Sequence, residues 1–154
     1  MRNAFARLLW RVGYRALWLS SFGVRRRGRG AKCLLFNAGQ VLLVRHTYGP
    51  KEWELPGGGV RRAEDPFAGI QRELREELQV EVEHAASLGT GSGPGRFAGA
   101  CVSYFLADLP DRAVVPDPVE IAEVVWCDPS APPQPLGWHA TQALARRGEA
   151  IASP

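Results

Sequence analysis

The sequence predicts an α/β protein in which a mixed β-sheet carries helices on both faces, preceded by an N-terminal amphipathic helix. Short apolar runs separated by Gly, Pro and Asn residues are typical of strands. Between and after them lie two segments with helical periodicity, one of them rich in glutamate. The chain has 154 residues, enough for one well-buried core. We predict a basic extension over residues 1–29 and one domain over residues 30–152.

The N-terminal extension has an apolar stripe along residues 2–22 and arginines on the opposite side. An Arg-rich helix of this kind can lie on an anionic membrane surface. It can equally pack its stripe on the domain or on a partner subunit, as in a homodimer. The uncharged stretch at residues 16–24 is too short to span a bilayer. We therefore expect a cytoplasmic protein, with peripheral attachment to the inner face of the membrane as the alternative.

The strands of the predicted domain follow the apolar runs. A turn at residues 37–40 joins the first two strands into a hairpin. The other predicted elements are a short strand before a glycine run and a last helix after a proline-rich stretch. In chain order, the strands are predicted at residues 31–36, 41–45, 53–55, 80–88, 100–108 and 121–127, and the last helix at residues 138–147.

The glutamate-rich helix has a clear start, since Asp65 is a good N-cap and Pro66 a good first helical residue. An apolar stripe predicts that it packs on the sheet. Next to this stripe, Glu73, Glu76 and Glu77 share one face because they are three and four residues apart. The stripe consists of Phe67, Ile70, Leu74 and Leu78.

Clustered glutamates are unfavourable unless something compensates them. Like charges at these spacings destabilise a helix by roughly 0.2–0.5 kcal/mol per pair. Taken alone, the helix could be a solvated face whose acids pair with Arg72 and Arg75. A hard cation such as Mg²⁺ would remove the repulsion, because it prefers oxygen ligands.

A longer sequence pattern around the helix favours the interpretation that the glutamates bind a metal. It consists of Gly58, five residues, Glu64, seven residues and then Arg72-Glu73-Leu74-Arg75-Glu76-Glu77-Leu78-Gln79-Val80. This resembles the Nudix box of a family of metal-dependent hydrolases that cleave nucleoside diphosphates linked to another group. One position departs, because Gln79 stands where the family has Gly. A left-handed Gln there would cost on the order of 1 kcal/mol. The resemblance covers roughly residues 30–150 and implies an α/β/α sandwich of the Nudix type.

The resemblance also implies roles for individual residues. Metal ligands would be Glu73, Glu76 and Glu77, with Mg²⁺ or Mn²⁺ as the cofactor. Glu76 and Arg72 would also be catalytic residues, and Arg72 would hold a carboxylate through a planar bidentate contact. The general base would be Glu120, with Glu123 as the second candidate. The substrate loop would contain Gly57, Gly58, Gly59 and Glu64.

The charge distribution, the cysteines and the histidines limit which partners and sites the sequence allows. Residues 1–51 contain eleven Lys or Arg and no Asp or Glu, which leaves eight basic and sixteen acidic residues for 52–154. An acidic catalytic domain argues against a nucleic-acid groove, so no nucleic acid is expected as a partner. Three cysteines in predicted strands indicate buried, reduced thiols. The three histidines lack ligand spacing and are expected at the surface or at helix caps.

We therefore expect a hydrolase that splits a phosphoanhydride bond in a small nucleotide substrate. Two alternatives stay open. The fold could serve as a non-catalytic nucleotide-binding regulatory module, although such a protein would usually have lost one of the acids. A membrane-associated pyrophosphatase could act on a lipid-linked or isoprenoid pyrophosphate.

Overall fold

The computed structural model describes residues 28–94 and 99–152, with side chains as far as residue 148. The predicted N-terminal helix lies outside this part of the chain. Within these ranges no helix is both long and apolar enough to cross a bilayer. The elements are β1 (Arg29–Asn37), β2 (Gln40–His46), α1 (Pro66–Leu78), β3 (Ala86–Gly91), β4 (Cys101–Asp108), β5 (Ile121–Cys127) and α2 (Trp138–Ala152).

The strands form one mixed sheet in the order β3-β4-β1-β2-β5. β1 and β4 are parallel, whereas the other neighbouring pairs are antiparallel. Alternate residues of β1 face opposite sides, and each side builds its own core. Leu35 packs with Ile70 of α1, whereas Leu34 packs with Ala140 of α2. The expected α/β/α sandwich is therefore confirmed.

β1 and β2 pair only beside their turn, at Phe36 with Val41 and at Asn37 with Gln40. Farther from the turn, residues 53–60 lie between the two strands. Glu54 exchanges backbone hydrogen bonds with Val44 of β2, and the glycine run then bonds to β1. The predicted short strand at residues 53–55 is thus reduced to isolated bridges, and it feeds the glycine run directly into the gap in the sheet.

α1 begins and ends as its local sequence indicates. The Asp65 side chain accepts hydrogen bonds from the first turn of the helix, and Pro66 is the first helical residue. At the other end Gln79 adopts the left-handed conformation, with φ 56° and ψ 36°. Its N–H and that of Val80 bond to the last turn of the helix. Gln79 therefore adopts the left-handed conformation at the position where the Nudix pattern has glycine.

One predicted strand is displaced. Residues 80–85 form no ladder, and β3 runs over Ala86–Gly91 instead of residues 80–88. Val80 and Val82 are nevertheless buried in the α1 core, so their alternation reflects packing under the helix. The Gln71 side chain donates to the carbonyl of Val82 at 2.7 Å and takes the place of a strand partner. α2 continues past the predicted end at residue 147.

Two side-chain predictions were wrong in part. Cys33 is buried, and burial raises the pKa of its thiol to about 12, but Cys101 is exposed and Cys127 only half-buried. His139, the second residue of α2, is buried rather than lying at the surface, and its Nδ1 is 2.7 Å from the hydroxyl of Tyr104 in the α2 core. Each of these residues lies in the predicted element, so the errors concern the extent of burial.

Candidate active site

Arg72 is the central cation of the acidic face of α1. Its Nε and Nη2 donate to the two oxygens of Glu64, both at 2.9 Å, in a bidentate contact. Its Nη1 donates to Glu73 Oε1 at 2.5 Å, and Nη2 also donates to the carbonyl of Gly59 at 2.9 Å. The bidentate partner of Arg72 is therefore Glu64. The guanidinium holds the loop, its entry acid and the helix together.

Hydrogen bonds from Arg72 and from the backbone of Arg61 hold the Glu64 carboxylate in place. Its Oε2 accepts the backbone N–H of Arg61 at 2.8 Å in addition to the Arg72 contact. These hydrogen bonds, led by that of Arg72, lower the pKa of the Glu64 carboxyl to about 2. Glu64 therefore remains an anion at neutral pH and supports the turn before α1.

The glycine run lies directly against the helix acids. A Cβ on Gly58 would sit 2.7 Å from Glu73 Oε2. Gly57 has φ 118°, and a Cβ there would collide with the carbonyl oxygen of Ala31. The absence of side chains at these glycines therefore lets the loop pass closely between β1 and the acidic face of α1.

Glu77 is a buried carboxylate, with 2% of the residue exposed. Its Oε2 accepts the backbone N–H of Gly57 at 2.8 Å. Burial raises the pKa of its carboxyl to about 8, while the charge of Lys32 acts in the opposite direction. The charges of Glu73 and Glu120 add to the increase, so both acids lie close to Glu77.

The loop before β5 brings Glu120 to this site. The N–H groups of Val115 and Asp117 donate to the carbonyls of Leu78 and Glu77 at 2.9 and 2.8 Å. They satisfy carbonyls that the end of a helix leaves without partners. Glu120 follows on the same loop and is buried. The candidate base thus joins Glu73 and Glu77 although it is more than forty residues away in sequence.

The other predicted acids differ in exposure and position. Glu76 has 35% of its side chain exposed, and its Oε2 lies 3.6 Å from Arg72 Nη1. It is therefore the acid of the trio that faces solvent. Glu123, the second candidate for the base, pairs with Arg45 at 2.8 Å. Arg45 stacks on Trp53, which belongs to the α2 core, so this pair lies on the other face of the sheet.

The donor set suits a hard divalent cation, because every acid on this face offers carboxylate oxygens. Across the described parts of the chain, however, no three His, Cys, Asp or Glu side chains are grouped so that they could hold a metal as they stand. The donor atoms therefore suit a hard divalent cation, whereas in this structure the Glu73 and Glu77 carboxylates are held by Arg72 and by the Gly57 amide.

The sequence prediction missed two charged residues around the glycine run. Lys32 donates to two of its carbonyls from β1. Glu54 faces the backbone N–H groups of His139 and Ala140 at the start of α2, and burial raises the pKa of its carboxyl. A lone charge within an apolar strand was the available signal for Lys32, since a buried charge needs a partner.

Comparison with known proteins identifies the family. The family model of the NUDIX domain matches residues 26–147, which is most of the chain. The chain belongs to the NUDIX family. Among NUDIX structures, that of a MutT NUDIX hydrolase from Burkholderia pseudomallei superposes with a TM-score of 0.72 at 24% identity, covering 79% of this chain and 98% of that one. At this identity the likeness concerns the fold.

Curated NUDIX relatives share shorter stretches. An RNA pyrophosphohydrolase from Rhodospirillum rubrum is 37% identical over 76 residues, covering 49% of this chain and 44% of that protein. One from Gluconacetobacter diazotrophicus is 32% identical over 142 residues, covering 73% and 83%. The chain thus spans less than half the length of the first curated relatives it matches. The alignment with the Gluconacetobacter protein is longer.

Proposed function

We propose that this NUDIX protein hydrolyses a phosphoanhydride bond in a nucleoside diphosphate derivative and depends on a divalent cation. The observation that carries the proposal is the convergence of Glu73, Glu77 and Glu120 beside a glycine loop, with Glu76 at the solvent edge. Such a concentration of buried acid is costly for a protein without a cation to bind. A pyrophosphate substrate, which carries negative charge itself, needs that cation as well.

Glu73, Glu76 and Glu77 would hold Mg²⁺ or Mn²⁺, which supplies positive charge to the phosphate oxygens. Arg72 keeps Glu73 and Glu64 oriented through its charge-assisted hydrogen bonds. Gly57, Gly58 and Gly59 let the substrate loop approach the helix. Glu120 is the proposed general base and would take a proton from the attacking water.

The proposed substrate class is broad, because specificity depends on residues outside this acidic face. Nucleotide sugars, ADP-ribose, dinucleotide polyphosphates and oxidised nucleoside triphosphates are the candidates. Because some relatives are named RNA pyrophosphohydrolase, an RNA that carries a pyrophosphate is a further candidate substrate. The net charge of −8 over residues 52–154, from eight basic and sixteen acidic residues, favours the small molecules.

A panel of these compounds tests the proposal. The purified protein is incubated with each compound in Mg²⁺, in Mn²⁺ and in excess chelator, and the released products are separated by chromatography. We expect metal-dependent cleavage of at least one nucleoside diphosphate compound. Absence of turnover on the whole panel, combined with tight binding of a nucleotide, would favour a non-catalytic regulatory module.

The basic extension supports a second proposal, that the protein is cytoplasmic and attaches to anionic membranes through residues 2–29. The supporting observation is that residues 2–29 contain eight arginines and no Asp or Glu. Co-sedimentation with phosphatidylserine vesicles should fall when Arg25, Arg26 and Arg27 are replaced by Gln. Equal sedimentation of both proteins would reject the attachment. Activity on isoprenoid pyrophosphates in the same vesicles tests the lipid-substrate alternative.

A homodimer through the apolar stripe is the remaining proposal for the extension. Light scattering at several protein concentrations distinguishes it from the membrane proposal. A dimer mass that persists on dilution would support pairing of the extension, and a monomer mass at all concentrations would reject it.

A further inference from the structure

Lys32 is a single charged residue among the apolar residues of β1. Its neighbours Leu34 and Phe36 on the same face of the strand are buried in the α2 core. Lys32 itself is half-buried, and its Nζ donates to the carbonyls of Leu55 and Gly57 at 2.9 and 2.7 Å. The long side chain thus turns from the strand to the substrate loop that lies between β1 and β2.

Three consecutive residues of β1 bind four consecutive carbonyls of this loop. The backbone N–H of Ala31 donates to Gly58 at 2.9 Å, and that of Cys33 to Pro56 at 3.2 Å. Lys32 binds the two carbonyls that alternate with these, at Leu55 and Gly57. An extended chain directs successive carbonyls to opposite sides. The strand backbone therefore fixes one set of loop carbonyls, and the Lys32 side chain fixes the other.

Gly57 links Lys32 to the acidic face of α1. Its carbonyl accepts the Lys32 ammonium at 2.7 Å, and its N–H donates to Glu77 Oε2 at 2.8 Å. An ammonium group and a buried carboxyl group on opposite faces of the sheet thus hold the same residue. The next residue, Gly58, lies against the carboxylate of Glu73. A change in the path of the loop at Gly57 would therefore reach both acids.

We infer that Lys32 is a positioning residue, which fixes the backbone of residues 55–58 and through it the carboxylates of Glu73 and Glu77. The inference rests on the proposed function, because it concerns the acids that would hold the metal. Charge-assisted hydrogen bonds to two carbonyls are stronger than neutral ones. A neutral side chain of the same length leaves both loop carbonyls without that partner.

The test compares Lys32→Met with Lys51→Met. Lys51 is a matched control, because its Nζ also donates to two carbonyls, at Thr47 (2.7 Å) and His46 (3.4 Å), but in an exposed loop. Lys32→Arg keeps the charge, and Lys32→Gln provides a second neutral variant if the Met variant does not fold. All proteins are measured well below their melting temperatures.

Two readouts do not require turnover. Amide hydrogen exchange of Gly57, followed by NMR in metal-free protein, reports the loop. Binding of Mn²⁺, followed by electron paramagnetic resonance, reports the acids. We expect exchange at least tenfold faster and a Kd for Mn²⁺ at least tenfold higher in Lys32→Met. Lys51→Met should match the wild type, and Lys32→Arg should recover part of the loss.

A third readout uses the most active compound of the substrate panel. The Mg²⁺ concentration for half-maximal activity should rise in Lys32→Met, whereas KM for the nucleotide at saturating Mg²⁺ should change by less than threefold. A lower melting temperature with wild-type Mn²⁺ binding and wild-type Gly57 exchange would assign Lys32 a purely structural role and overturn the inference. Failure of the wild type to bind Mn²⁺ would instead overturn the proposed function, and Gly57 exchange would still decide the role of Lys32 in the loop.

Discussion

Gly58 lies directly against the carboxylate of Glu73, so close that a Cβ on the glycine would sit 2.7 Å from Oε2. The carboxylate cannot retreat easily, because Arg72 binds its other oxygen at 2.5 Å. The loop and the helix are therefore fitted to each other around one acid. This fit connects the glycine of the family pattern to the glutamate fifteen residues later.

The first prediction concerns Gly58→Ala. The added methyl group should push the Glu73 carboxylate away from the loop, at a cost of about 1–3 kcal/mol in unfolding free energy. We expect turnover of the panel substrate to fall about a hundredfold, because a displacement near 1 Å at a reacting site has that effect. Urea unfolding and steady-state kinetics measure the two quantities.

Gly148→Ala is the matched control for that substitution. Nothing lies within 4 Å of a Cβ at Gly148, which is in α2. Alanine there should stabilise the helix by up to about 1 kcal/mol and leave turnover unchanged. Equal kinetics for both alanine variants would contradict the importance of the contact between Gly58 and Glu73.

The second prediction concerns Glu76→Gln. Glu76 is the solvent-facing acid of the proposed metal site, so the amide should fit without disturbing the core. We expect the melting temperature to stay within a few degrees and turnover to fall on the order of a hundred- to a thousandfold. Glu83→Gln, at an exposed position outside the acidic face, should keep full activity. Undiminished hydrolysis by the Glu76 variant would reject the proposed roles.

The third prediction compares Glu120→Gln with Glu123→Gln. Glu120 is the last residue before β5 and lies close to Glu77. Glu123 lies in β5 and pairs with Arg45 on the opposite face of the sheet. Loss of a general base reduces turnover by about a hundred- to ten-thousandfold. We expect that loss in the Glu120 variant alone, with little change in KM. The opposite ranking would move the base to Glu123.

Local signals predicted the helix of the site well. An aspartate cap, a following proline and an apolar stripe fix the start and orientation of α1, and none of them depends on distant residues. The strand predicted at residues 80–88 failed because Val80 and Val82 are buried by α1 packing rather than by a ladder. Alternation of apolar residues measures burial, and it does not reveal what covers them.

The surroundings of the acids were less accessible to sequence reasoning. The role of Lys32 depends on the loop that enters between β1 and β2, and the proximity of Glu120 to Glu77 depends on a loop held by α1 carbonyls. Both contacts join segments that are far apart in the chain. Their partners follow from tertiary structure, whereas the family pattern specifies only residues 58–80.

The last prediction concerns the acid stability of the pair formed by Glu64 and Arg72. Hydrogen bonding to Arg72 lowers the pKa of the Glu64 carboxyl to about 2, below its ordinary value of 4.5. An acid with a lowered pKa in the folded state stabilises the fold above its unfolded pKa. This stabilisation is complete at neutral pH and is lost as the pH falls from about 5 towards 2.

Replacing Glu64 with Gln removes this contribution and part of its pH dependence. The wild type should therefore lose more unfolding free energy between pH 7 and pH 3 than Glu64→Gln does. We expect a difference on the order of 1 kcal/mol, because solvent screens part of the interaction. Urea unfolding at both pH values, without added metal, measures it. Equal losses of unfolding free energy in the two proteins would contradict the prediction. They would mean that the Glu64 carboxyl has the same pKa in the folded and unfolded states, so that Arg72 does not stabilise its charge.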